Sequence, residues 1–460
     1  MDVTTGSRRQ RIVVISPPFA SHARPLATVA AALGATGSAE VSFACAPEFE
    51  GLADSLGVPF RPLVFGDNAN TGIAERTRQD RAGAARLAEF LAATAEGALP
   101  ALLTQVRHRR ADMLSAPEAV LGAIRALDER LRPDWYLVDQ LAYSVTLALH
   151  CLGARWATFC PGHPSYLLDG PGRWFGVPPY WPEAITPDPV RLRELRETAA
   201  ENDVLFTRLF AEFTAEHAPG RPAPGRAFAL TSSEAVVLNY PELPWLPALP
   251  SRPVKIFAGH CTSGTDGTEA LPPGWLDRIA GLTGGGRRRL VLVSFGTFLS
   301  ARDDVLVTVA RGVLRSPGLA VLVVAGDRVA AVRAALGPDE RVLVEDHVPQ
   351  RALLRHTSLV VHHGGNNSFT ECLAAGVPAV VLPFSSDQFA IAHDVERGAA
   401  GRVLDPAALT PQRVQQAVAS LLGPAGPVPG ADQHPAVAPG ASGGPAFAAA
   451  RLLQVMGSPG

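Results

Sequence analysis

Ser358-Leu-Val-Val-His-His-Gly-Gly-Asn-Asn-Ser-Phe-Thr-Glu371, followed by Cys-Leu-Ala-Ala-Gly-Val-Pro378, decides how this 460-residue chain is read. A β-branched run, a Gly-Gly turn, a helical stretch and another apolar run succeed one another, so the segment reads strand, tight turn, helix, strand. In an open parallel sheet such a turn lies at the carboxyl edge, where ligands bind. Gly364 and Gly365 let the backbone approach a ligand closely, and the N–H groups and dipole of the following helix favour an anion. A diphosphate fits there, with His363 at the strand end and Ser368 in the first helical turn as further donors. Ser368 with Glu371 three residues later also spells a capping box, which needs no ligand.

Working outward, the same alternation recurs. Short apolar runs at 290–295, 320–325, 342–345, 359–362 and 379–383 predict one parallel sheet, and runs at 12–16, 41–45, 135–138 and 157–159 predict another. The length also suits two domains of roughly 200 residues each. The expected division is an amino-terminal Rossmann-like domain over 1–235, an interdomain linker over 236–286 ending at the Gly284-Gly285-Gly286 breaker, and a carboxy-terminal Rossmann-like domain over 287–422. Residues 423–445 are mostly Pro, Gly and Ala, which bury too little surface to offset their ordering entropy. They read as a flexible loop ahead of a final helix near 446–455, the two together making up 423–460.

Other classes recede on composition and on missing motifs. The 41 basic and 43 acidic side chains nearly cancel, so no cationic surface for nucleic acid is expected. No stretch approaches the about 18 to 20 consecutive apolar residues of a membrane span, and the first residues hold no signal-peptide core, so a cytoplasmic location is expected. Cys45, Cys151, Cys160, Cys261 and Cys372 have no metal-ligand spacing. The turn after Ile15, Ser-Pro-Pro-Phe-Ala-Ser-His22, lacks the Gly-x-Gly-x-x-Gly of a dinucleotide site, which disfavours a dehydrogenase. Asp-x-Asp is absent too, so no Mg²⁺ pair is expected, and helix dipoles with His363 would stand in for a metal.

His22 falls just past the first strand, before Pro25 and an expected helix from Leu26 to Leu33, and Asp139 takes the equivalent place after the strand at 135–138. A neutral imidazole whose other nitrogen donates to a carboxylate is a good general base near neutral pH. The plainer reading is that His22 closes a loop and Asp139 caps the helix near Leu141. Ser294-Phe-Gly-Thr297 could bring backbone donors to the diphosphate from another side. Residues 156–181, with His163, Trp174 and Phe175 among glycines and prolines, suit the wall of an apolar pocket, or equally the core.

These residues together resemble the family-one glycosyltransferases, the UDP-glycosyltransferase superfamily that includes bacterial antibiotic and macrolide glycosyltransferases. The likeness runs through Ser21-His-Ala-Arg-Pro25, Tyr136-Leu-Val-Asp139, Ser294-Phe-Gly-Thr297, His347-Val-Pro-Gln350, the 362–371 signature, Gly376-Val-Pro378 and Asp387-Gln388. It implies an α/β GT-B fold, two Rossmann-like domains facing across a cleft, the first binding the acceptor and the second the nucleotide sugar. By the same likeness His22 is the base and Asp139 its partner. His363, Gly365, Asn367, Ser368 and Thr297 would serve the diphosphate, His347, Val348, Gln350 and Glu371 the nucleoside, and Asp387 and Gln388 the donor sugar. His163, Trp174 and Phe175 would face the acceptor.

The implied activity is metal-independent transfer, with inversion, of a hexose from a nucleotide-diphosphate sugar to a hydroxyl of a small-molecule natural product, as in antibiotic biosynthesis. No cofactor is implied beyond the co-substrate. Glu371 favours a ribose diol and hence a UDP-sugar. A dTDP-deoxysugar donor, or a sugar-nucleotide epimerase of similar fold, stays open. The likeness departs at His347, where many members stack a tryptophan on the base, and at Ile391, where an asparagine is common. A monomer or homodimer is expected.

Overall fold

The computed structural model describes residues 8–65, 70, 81–112, 114–168, 170, 172–261, 270–423 and 443–457. Most of the loop expected at 423–445 therefore lies outside the described residues. The first half runs β1 (Gln10–Ile15), α1 (Ala20–Ala35), β2 (Ala39–Cys45), α2 (Glu50–Ser55), β3 (Phe60–Pro62), α3 (Arg81–Glu96), α4 (Ala98–Asp112) and α5 (Pro117–Leu131). It continues through β4 (Trp135–Asp139), α6 (Tyr143–Leu152), β5 (Trp156–Cys160), α7 (Pro189–His217), β6 (Ala235–Leu238) and β7 (Val254–Phe257).

The second half opens with α8 (Trp275–Thr283), β8 (Arg289–Ser294), α9 (Gly296–Leu299), α10 (Asp303–Leu314), β9 (Leu319–Val324), α11 (Val329–Leu336) and β10 (Val342–Glu345). There follow α12 (Gln350–Leu354), β11 (Leu359–His362), α13 (Asn366–Ala375), β12 (Ala379–Val381), α14 (Gln388–Arg397), β13 (Gly401–Val403), α15 (Pro411–Leu422) and α16 (Gly444–Gly457).

Two parallel sheets result, a seven-stranded one ordered β3-β2-β1-β4-β5-β6-β7 and a six-stranded one ordered β10-β9-β8-β11-β12-β13. Their central strands are continuous apolar runs because helices cover both faces: the last four residues of β1 and the last five of β8 are buried. In each sheet the chain winds outward one way, then crosses back to wind the other. The crossing leaves a crevice between β1 and β4 in the first sheet and between β8 and β11 in the second. Topological switch points of this kind are where ligands of such sheets bind.

Three features depart from the sequence expectation. Residues 235–257, placed mostly in the linker, carry β6 and β7 and complete the first sheet. Their runs of four residues each lack the length that marks a strand by pattern. Helix α1 starts at Ala20 rather than near Leu26, with Pro25 inside it, because Pro has no N–H to give yet its fixed φ suits an early helical position. Helix α16 returns to the first half, where Ala448, Ala449, Leu452 and Met456 join the core formed by α1, β1 and β2.

The halves are also joined by apolar contact. Leu167, Leu238 and Tyr240 share a buried cluster with Phe369, Val381, Ile391 and Val395. From the α3–α4 hairpin, Phe90 and Leu91 pack against the second core, Arg302 Nη1 donates to Thr94 Oγ1 at 3.0 Å, and Leu102 and Leu103 cluster with Phe389. Because Leu452 is fully buried under α1, Leu452→Ala should cost about 2–5 kcal/mol and lower the urea midpoint accordingly. An unchanged midpoint would mean that α16 does not dock there.

Candidate functional site

At the first switch point, β4 ends in Asp139, which is fully buried. One carboxylate oxygen accepts from the Leu141 backbone N–H at 2.9 Å, and the other lies 2.9 Å from His22 Nδ1 in the first turn of α1. Turn-holding and histidine-pairing are therefore both done by the same side chain, one oxygen each. With Asp139 accepting, Nδ1 carries the proton and Nε2 keeps a lone pair on an imidazole that is still partly exposed. That geometry suits proton abstraction from a hydroxyl.

At the second switch point, His363 follows β11 and its ring lies against two glycines. A Cβ on Gly365 would stand 2.3 Å from His363 Nε2, and one on Gly296 would stand 2.8 Å from its Cε1. Gly296 opens α9 at φ 68°, and Gly364 turns at φ 85°, so both are held in the left-handed region. Burial pushes the His363 imidazole down to about 4, which keeps it neutral, and its Nδ1 has no hydrogen-bond partner among the described residues. A buried ring nitrogen of that kind stands ready for a polar ligand atom. The Thr297 side chain lies outside the described residues.

Helix α13 begins with Gly365 as its N-cap, so no side chain caps it. The capping-box reading of Ser368 and Glu371 does not hold, because Ser368 is the third helical residue rather than the cap. Its Oγ instead lies 3.5 Å from Gln350 Nε2, which also donates to Glu371 Oε2 at 2.7 Å. First-turn N–H groups of a helix have no intrahelical acceptors, and here only glycine precedes them. The turn is thus electrically suited to an anion.

The asparagines after the glycines hold the two halves together. Asn366 Nδ2 donates to the Pro161 and Asn239 carbonyls at 2.9 and 2.7 Å. Asn367 Nδ2 donates to the Ser21 carbonyl at 3.1 Å, while its Oδ1 accepts from Asn239 Nδ2 at 3.2 Å. Pro25 explains why Ser21 is available, since position 25 has no N–H to send back four residues. The residue beside His22 is thereby bonded to the first turn of α13. Asn367, assigned by resemblance to the diphosphate, has its amide engaged between the halves.

Other expected site residues fall as follows. His347 is exposed, and the Val348 side chain belongs to a core cluster with Trp275 and Leu353. Gln388 folds its amide back, its Oε1 accepting from the Phe384 and Ser385 N–H groups at 2.9 and 3.1 Å. Asp387 lines a solvent-open cleft of about 640 Å³ together with Trp174 and Phe175, so the donor-sugar and acceptor expectations share one wall. His22 is not among the residues lining that cleft.

His163 departs from its expected place on the acceptor wall. Its Nδ1 accepts from Ser165 N at 3.0 Å and its Nε2 faces Asp394 Oδ2 at 3.1 Å, so both nitrogens are committed inside the protein. Asp394, on α14, also accepts from Tyr240 Oη at 2.8 Å and Trp245 Nε1 at 2.9 Å. Burial pushes its carboxyl up, but these hydrogen bonds outweigh burial and leave it below the ordinary value. The His163 backbone N–H donates to Asp387 Oδ2 at 2.9 Å. No sequence pattern pointed to Asp394, Tyr240, Trp245 or Asn239, because their partners lie far away along the chain.

Among the described residues no group of His, Cys, Asp and Glu is arranged to hold a metal ion, and no helix is long and apolar enough to cross a membrane. Residues 321–433 match the family described as Erythromycin biosynthesis protein CIII-like, C-terminal domain. Demethyllactenocin mycarosyltransferase of Streptomyces fradiae is 35% identical over 128 residues, 28% of this chain and 27% of that protein. Oleandomycin glycosyltransferase of Streptomyces antibioticus is 32% identical over 136 residues, 30% of this chain and 29% of that protein. The chain thus spans less than a third of the length of these relatives. Over whole chains, the solved glycotransferase of kitacinnamycin superposes with a TM-score of 0.67 at 21% identity, covering 98% of this chain and 100% of that one. The fold is GT-B.

Around α13, burial holds three histidines neutral: His260 and His363 are pushed down to about 4 and His362 to about 3. His362 Nδ1 accepts from Gly364 N at 3.0 Å, which a proton there would break. Unfolding returns each ring to about 6.5, so between about pH 6.5 and 4 the unfolded chain binds more protons. Stability present above pH 6.5 is therefore lost as pH falls, at up to about 4 kcal/mol per pH unit for three rings. Urea midpoints measured from pH 7 to 4.5 should drop, and His362→Asn, which keeps an acceptor for Gly364, should flatten the slope by about one third. A pH-independent midpoint would contradict the buried, neutral assignment.

Proposed function

We propose that this protein is an inverting, metal-independent glycosyltransferase that moves a hexose from a nucleotide-diphosphate sugar, preferably a UDP-sugar, to a hydroxyl of a small-molecule natural product. One observation carries the reading: a histidine oriented by a buried carboxylate at one switch point is bonded, through its neighbour Ser21, to the uncapped helix start at the other. A base on one side and an anion site on the other are the two parts a displacement at an anomeric carbon needs.

In this mechanism His22 Nε2 takes the acceptor's hydroxyl proton as its oxygen bonds to the anomeric carbon. The bond from that carbon to the diphosphate oxygen breaks on the opposite face, so configuration inverts. Asp139 stabilises the imidazolium that forms, as a carboxylate does across a hydrogen bond. The departing diphosphate gathers charge, which the N–H groups of α13 and the neutral ring of His363 stabilise. Glu371, held by Gln350, would receive the ribose hydroxyls, and this is what supports UDP over dTDP. The names of the matched antibiotic glycosyltransferases support a natural-product acceptor.

His22→Ala should lower glycoside formation by about 10²–10⁴-fold while leaving UDP binding unchanged by calorimetry. Asp139→Asn should cost a comparable factor, because an amide can select the wrong tautomer. Mass spectrometry of UDP- and dTDP-sugars against diverse aglycones identifies donor and acceptor. Turnover of the sugar nucleotide alone into its epimer, or full activity of the His22 variant, would overturn the proposal.

A further inference from the structure

Helix α4 carries the run Arg107-His108-Arg109-Arg110, and three of its four residues have partners. Arg107 Nη2 meets Glu194 at 3.0 Å, His108 Nε2 meets Glu89 at 2.8 Å, and Arg110 meets Glu201 and Asn202 at 2.6 and 2.5 Å. Arg109 instead turns into the cleft, its guanidinium 5.0 Å from the Phe175 ring centroid. It has no hydrogen bond and no ion pair among the described residues.

Several other polar groups of the wall are already engaged. Gln105 uses both amide atoms on Ser386, Asn202 is held by Arg110 and by the Val106 carbonyl, and Asp387 Oδ2 accepts from His163 N. The rest of the wall is largely apolar and aromatic, with Trp174, Phe175 and Phe228 contributing rings. A half-buried guanidinium with five N–H donors and no acceptor is an incomplete arrangement, and a carboxylate matches its fork in two parallel hydrogen bonds.

We propose that Arg109 makes this cleft a site for acceptors that carry a carboxylate on an apolar, ring-containing body. The rings lie along the apolar wall beside Trp174 while the carboxylate closes on the guanidinium. This rests on the reading of the cleft as the acceptor side of a glycosyltransferase, but the preference for an acid is a property of the cleft itself and is measurable with no donor present.

The test compares 6-hydroxynaphthalene-2-carboxylate with its methyl ester, which share a ring system and a hydroxyl and differ in charge. Titration calorimetry on the full chain should show the acid binding about tenfold or more tighter than the ester. Arg109→Met should bring the two to equal affinity, and Arg109→Lys should retain part of the difference. Equal affinities for the wild-type protein, or a preference that survives in Arg109→Met with an unchanged thermal midpoint, would overturn the proposal. The wild-type comparison decides even if the methionine variant does not fold. UDP titrated separately distinguishes the failures: loss of the acid preference with UDP bound sinks only the role of Arg109, whereas no binding of UDP or dTDP sinks the transferase reading.

Discussion

The structure depends on one buried carboxylate. Asp394 is 3% exposed, and a charge so deep is tolerated only when its oxygens are saturated by donors. All three donors, His163, Tyr240 and Trp245, come from the first half of the chain, whereas Asp394 belongs to the second. Separating the halves would strand the charge, so their relative placement is specified as well as stabilised. The same loop that sends the His163 ring to Asp394 sends its backbone N–H to Asp387, one helical span earlier on α14. A single loop thereby fixes both where α14 lies and how its amino-terminal carboxylate is held at the cleft.

Much of the architecture was legible because it follows from local pattern. Parallel strands covered on both faces must be continuous apolar runs, and nine such runs fall within two residues of β1, β2, β4, β5, β8, β9, β10, β11 and β12. What escaped was whatever depends on distant partners. Strands β6 and β7 are short and edge-ward, with little pattern of their own, and they become strands by extending β5. The docking of α16 on α1 is equally invisible, since an Ala-rich helix advertises an apolar face but not its address.

The site divides along the same line. The Gly-Gly turn, His22 and Asp139 stand at strand ends, so sheet topology alone brings each to a switch point. His22 and Asp139 lie far apart along the chain too, but both stand at strand ends; side chains beyond those turns have no such cue. His163 reads as part of an aromatic wall because aromatic residues surround it in sequence, yet Ser165 and Asp394 take its two ring nitrogens and leave neither for a ligand. Asn367 was read as a phosphate contact from its place in the turn, while its amide spans the two halves. Asp139 does not cap α6, whose N-cap is Ala142, but one of its oxygens holds the turn through the Leu141 N–H while the other meets His22.

The two glycine turns of the second half are better regarded as one device than as two. Gly296 and Gly365 both stand against the His363 ring, which leaves no room for a Cβ on either. A side chain at either position would have to displace the imidazole. The consequence reaches the chemistry proposed for the site. Burial keeps the His363 imidazole neutral, and in the proposed reaction a neutral ring offers the leaving diphosphate a hydrogen bond without a full positive charge that would hold the product in place.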